Sequence, residues 1–131
     1  MPAPDLVPPV IAESGDPFAA LRVIDLLARV PRGASVELRS IVDRLNATHL
    51  DWLFSDRVVA DALVQLAANW AADFRSTGGF VIDDGPYGST ITIEDSPRVD
   101  PWITRQAQRI AASCREILED FSRRDRSTGL D

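Results

Sequence analysis

One stretch of this 131-residue chain reads as β-structure, GGFVIDDGPYGSTITIED at residues 78–95, and it sits between two long helical patterns. In STITIED the β-branched Thr90, Ile91, Thr92 and Ile93 alternate polar with apolar, the period of a half-buried strand. In GFVID, Phe80 and Ile82 occupy alternate positions and are expected to share an inward face with Ile91 and Ile93. Pro86 restricts Gly85 and argues against a simple Asp-Gly turn. A longer loop holding a Gly85-Pro86-Tyr87-Gly88 turn, proline second, fits better. Two strands alone are marginal in water. The hairpin must therefore lie on helices or borrow a third strand, for which residues 35–37 are the candidate.

The rest of the chain has helical periods. Residues 1–15 carry Pro2, Pro4, Pro8 and Pro9 and too little periodicity for an element, so they read as a flexible arm, or as one that docks on a partner. Order is expected from Asp16-Pro17, a good N-cap followed by a residue preset for the first turn. The helix PFAALRVIDLLARV puts Phe18, Leu21, Ile24 and Leu27 on one face, widened by Val23, Leu26 and Val30. Leu38, Ile41, Val42 and Leu45 predict a short helix over 37–46. The segment NATHLDWLF is irregular, yet Leu50, Trp52, Leu53 and Phe54 require it to pack down. Ser55 caps the longest helix, whose stripe is Val59, Leu63, Leu66, Trp70 and Phe74, and Gly78 is placed to end it.

The last helix opens at Asp100-Pro101-Trp102 and is expected over 100–123, before a flexible tail at 124–131. Ile103, Ala107, Ile110, Cys114, Ile117 and Phe121 follow steps of 4, 3, 4, 3 and 4, the average period of a coiled-coil seam. Ala111 and Leu118 widen it. Such a stripe either folds back on its own domain or pairs with a second copy or a partner helix. Its regularity favours pairing, and these six residues are the expected dimer or partner interface. Replacing Ile110 by Glu should then give monomer.

Composition narrows the function classes. Apolar residues at 45% and charged residues at 26% are ordinary for a soluble domain. One cysteine and one histidine leave no disulfide framework and no Cys/His zinc site. The opening MPAPDLVPPVIAESGDP lacks a basic region and its apolar stretch is broken by prolines, so neither a signal peptide nor an anchor is expected. A reduced, cytoplasmic setting without membrane contact follows. Acidic residues outnumber basic ones 20 to 14, for a net charge of −6, which weighs against non-specific nucleic-acid binding.

No constellation converges on catalysis. His49 lies beside Asp51 and near Ser55, but no nucleophile elbow or glycine-rich oxyanion loop accompanies them. His49 reads as a local loop residue. Asp83, Asp84, Glu94 and Asp95 lack the spacing of a calcium loop and suit solvated strand edges. No catalytic residue, metal site or cofactor is expected. Asn46-Ala47-Thr48 matches a glycosylation acceptor and reads as a chance tripeptide. Cys114 on the seam reads as a small hydrophobe. At the hairpin tip Pro86 and Tyr87 present a rigid, amphipathic contact, or the ring folds back onto the helices.

Helix, short strand, helix, longer helix and hairpin is the element order of winged-helix domains, and residues 16–95 resemble that superfamily in architecture. GASVELRSIVDRL looks like the segment that enters and forms the second helix, VVADALVQLAANW like the third helix, and GFVIDDGPYGSTITIE like the wing. The resemblance implies a DNA-binding or protein-interaction module, often dimerised by an added helix such as 100–123. The expected fold is α+β, mainly α: a winged-helix-like three-helix core, one hairpin and a long C-terminal helix. Two features depart from the pattern. The link from Asn46 to Phe54 is long for a helix-turn-helix, and the third helix and wing are acidic, with Asp56, Asp61, Asp73, Asp83, Asp84, Glu94 and Asp95. The expected function is therefore a non-enzymatic, homodimeric module that binds protein. The alternative is a winged-helix DNA-binding transcriptional regulator, with Arg39, Arg44 and Arg57 on the DNA.

Overall fold

In the computed structural model residues 8–75, 79–86 and 88–128 are described, without the side chains of 125–128. Asp16 accepts the backbone N–H of Phe18 at 3.0 Å and Pro17 takes the first helical position, which opens α1 (Pro17–Leu27). The helix stops short of its apolar pattern. Tight turns carry the chain on to Val30, which stays buried; the Leu27 carbonyl accepts the Val30 N–H, and Arg32 donates to the carbonyls of both Leu27 and Val30. A strand at Ser35–Glu37 leads directly into the second helix, α2 (Leu38–Thr48). Ser55 caps α3 (Asp56–Phe74) through the N–H of Val58 at 3.3 Å. Arg75, at φ 51°, takes the left-handed C-cap position expected of Gly78, which lies outside the described residues.

The arm and the long link differ from expectation, and each explains the other. Val10–Ile11 forms a strand, β1, that runs parallel to a second short strand at Trp52–Leu53. With Ser35–Glu37 as β2, Trp52–Leu53 is β3. Val10 N–H donates to Asp51 O at 2.8 Å and Ala12 N–H to Leu53 O at 3.0 Å. The Asn46 side chain makes a matching pair on the far side, donating to Phe54 O at 3.1 Å and accepting Phe54 N–H at 2.7 Å. The link is long because it carries a strand, and residues 10–11 of the arm form a strand because they supply its partner. Strand alternation also sorts the apolar link: Phe54 is buried and Trp52 half-buried beneath Arg22, whose guanidinium lies 4.2 Å from the indole. Leu53 and Leu50 do not pack down; Leu50 is 82% exposed.

The hairpin is β4 (Phe80–Gly85) and β5 (Gly88–Ile93), paired in register Phe80 to Ile93 and Ile82 to Ile91. Gly85 pairs with Gly88, so pairing runs to both ends of the expected Gly85–Gly88 turn and leaves two residues between the strands instead of a longer loop. β2 supplies the third strand, antiparallel to β5 with Val36 opposite Ile91, and the order is β2-β5-β4. Phe80, Ile91 and Ile93 face inward onto α2 and α3. Gly79 lets the chain enter β4 against Trp70: a Cβ there would collide with the indole.

Helices α1, α2 and α3 pack on one another around Val23, Ile24, Leu27, Val42, Leu45, Val59 and Leu63. Each such burial contributes about 1.5–3 kcal/mol. The final helix, α4 (Val99–Thr128), begins one residue before Asp100, continues past the expected end at 123 through residues expected as tail, and lies along α1. It runs antiparallel: Arg32, just past the C-terminus of α1, pairs with Asp100 at 2.7 Å, while Asp16 and Arg22 act on Cys114. The chain is thus α+β and mainly α, and no described helix is long and apolar enough to cross a membrane.

Candidate partner interface

Helix lengths set the geometry of α4. Thirty residues make it about 45 Å long, against about 16 Å for α1. Its first half has a neighbour and its second half outruns it. Ile103 is buried in the core, and Ala107 and Ile110 pack against that core from the same chain. Cys114 is the last buried seam residue. Beyond it Ile117 is 43% exposed, Leu118 58% and Phe121 72%. The six-residue seam is therefore divided. Its first three positions are spent on the chain's own core, and the apolar surface left for a partner comprises Ile117, Leu118 and Phe121.

The thiol of Cys114 sits where the two halves meet. Burial pushes its pKa up, Asp16 adds to the shift and Arg22 opposes it. Low thiolate content and low exposure make it an inert packing group. Around the exposed residues, Arg115, Arg123 and Arg124 balance Glu116, Glu119 and Asp120, so this segment is neutral on a chain of net charge −6. Arg124 lies 3.2 Å from Asp120, one turn back.

Pro86 is exposed at the hairpin tip, while Tyr87 lies outside the described residues. A cleft of about 680 Å³ separates the tip from the first turns of α2 and α3. Arg39 and Arg57 line it; Arg44 does not, and faces α1 beside Leu26 and Arg29. The structure thus brings two of the three arginines together. Both are matched by carboxylates: Arg39 lies 3.3 Å from Asp43 and 3.0 Å from Asp56, and Arg57 lies 4.0 Å from Asp61. The hairpin's Asp83, Asp84, Glu94 and Asp95 are all exposed.

The remaining sequence candidates have local roles. His49 ends α2, donating its N–H to Leu45 O, with its ring 6.2 Å from Phe54. Ser55 Oγ is the α3 cap, and Asp51 O accepts from Val10. These three residues do not form a nucleophile-base pair. Among the described residues no group of three or more His, Cys, Asp or Glu could hold a metal ion.

Two features of surface and core were not anticipated. One is the apolar edge of β1 and β3, where Val10, Ile11 and Leu53 are exposed. The other is Gln106, which is buried. Its position was legible, because it stands three residues after Ile103 and four before Ile110, on the inward stripe of α4. No family model, curated protein or solved structure matches this chain.

Proposed function

We propose that the chain is a non-enzymatic interaction module of winged-helix type that forms homodimers through the projecting half of α4. The observation that carries this reading is the exposure of Ile117, Leu118 and Phe121 where the seam passes beyond its own domain. Exposed apolar residues in a continuous stripe signal an interaction site, unlike single scattered ones. A second copy suits it because the segment carries three arginines and three carboxylates, so like copies meet without net repulsion. The winged-helix reading is supported by the order α1-β2-α2-α3-β4-β5 and by a sheet in which β2 pairs with β5 and β5 with β4. Partner binding at the hairpin tip is favoured over DNA because the carboxylates beside Arg39 and Arg57 offset the charge a phosphate backbone needs.

Sedimentation equilibrium tests the dimer. The wild-type chain should sediment as a dimer at micromolar concentration, and Phe121→Glu or Ile117→Glu as monomers with unchanged circular dichroism. Ile110→Glu is a poor probe, since Ile110 packs against the core and its loss would disturb the fold. A wild-type monomer at every concentration, or variants that remain dimeric, would refute the proposal. Selection of one sequence motif from genomic DNA fragments would replace the protein-binding reading with the regulator.

A further inference from the structure

The backbones of α3 and α4 hardly approach each other, and aromatic side chains bridge them at one end. There Trp70 and Trp102 meet edge to face at 5.2 Å, with Phe74 and Phe80 alongside. Toward the other end the residues are small. Ala19 and Ala20 on α1 and Ala62 on α3 leave a cavity of about 400 Å³, walled also by Leu66 and Ile110. That volume lies within the range of small-molecule sites.

Its polar equipment is specific. Gln106 lines the cavity, is 2% exposed, and is the one buried polar residue among the described residues. Its side chain has a single hydrogen bond among them, a long one accepted from Asn69 Nδ2 at 3.5 Å. Asn69 also accepts from Gln65 Nε2 at 3.0 Å, so three carboxamides stand in a row along the wall. An amide offers four hydrogen-bonding positions, and that of Gln106, which is not among the sealed polar groups that lack a partner, has positions left for a complementary group in the cavity. The mouth carries Glu13, Asp16 and Asp61 against Arg109, which disfavours an anion. Asp16 and Asp61 are already engaged, by Phe18 N–H and by Ser14 Oγ at 2.6 Å.

We propose that this cavity is a binding site for an uncharged aromatic ligand bearing a carboxamide or the equivalent donor-acceptor edge of an amino-heterocycle. The ring would lie on Ala19, Ala62, Leu66 and Ile110, and the amide edge would pair with the Gln106 carboxamide. The site does not depend on dimer formation, since one chain supplies every wall.

Benzamide and benzoate share a shape and differ in charge and donors, so they are the probes. Isotope-labelled full-length protein is titrated with each and followed by amide-proton NMR. Benzamide should give saturable shifts at the Gln106 and Asn69 side-chain amides and at Ala62 and Ile110, with a Kd of about 1 mM for a ligand of this size. Benzoate should bind at least about tenfold more weakly, the discrimination of roughly one lost hydrogen bond. Gln106→Leu keeps the bulk, removes the amide, and should weaken benzamide by a similar factor. Ala62→Leu fills the cavity from α3 and is read in the same way should the first variant fail to fold. Shifts absent or scattered over the surface, equal binding of benzoate, or undiminished binding to the folded variant would overturn the proposal.

Discussion

The indole N–H of Trp102 donates to Asp73 Oδ2 at 2.8 Å, and this bond fastens the start of α4 to the last turns of α3. Trp102 is fully buried, so with Asp73 in place its N–H is shielded and the carboxylate is its acceptor. Hydrogen bonds to charged acceptors contribute about 1.5–3 kcal/mol, less where one partner is solvated as Asp73 is. Asp73→Ala should destabilise by about 1–2 kcal/mol in urea denaturation. A double-mutant cycle with Trp102→Phe should show coupling of similar size.

Gly79 is held by contact rather than by backbone torsion. A Cβ at this position meets the Trp70 indole, which is itself hemmed in by Phe74, Phe80 and Trp102. Overpacking of this kind costs about 1–3 kcal/mol. Gly79→Ala should lower the thermal midpoint and blue-shift or broaden the tryptophan fluorescence. Gly15→Ala meets no atom and should act only through its positive φ, which makes it the control for steric crowding.

Asn46 acts as a stretch of borrowed backbone for the link. Its amide satisfies both the N–H and the C=O of Phe54, as a neighbouring strand would. Asn46→Ala orphans both groups, and Asn46→Asp keeps the acceptor while losing the donor. The expected losses are about 2 kcal/mol for alanine and about half that for aspartate. Hydrogen exchange should show the change at Val10, Ala12 and Phe54, because the β1–β3 pair depends on that link.

The raised pKa of Cys114 makes stability depend on alkaline pH. Below the ordinary thiol range, about 8.5, both folded and unfolded states hold the proton and the full contribution is present. Above it the unfolded thiol ionises first, and the contribution is lost as pH rises toward the higher folded pKa. The urea midpoint of the wild type should therefore fall more steeply above pH 8.5 than that of Cys114→Ala. Alkylation of the native thiol by iodoacetamide should be slower than in urea at every pH in this range.

What could be read along the chain is what neighbours in sequence dictate to one another. Asp16-Pro17 and Ser55 start helices because caps act within three residues. The alternation of Phe80, Ile82, Ile91 and Ile93 settles the inward face of the hairpin because a strand's period is local. The borrowed third strand at residues 35–37 follows from the insufficiency of two. Val10–Ile11 escaped notice because a two-residue strand has no period, and its partner lies some forty positions away. Exposure along α4 was equally out of reach. Ile110 and Ile117 occupy equivalent seam positions, and the stripe that carries them is uniform. Only the length and antiparallel course of α1 decide that one is covered and the other is not. The cavity beside Gln106 arises in the same way, from the gap between α3 and α4 that two tryptophans hold apart at one end. Periodicity belongs to a segment, whereas burial and empty space belong to the fit between segments.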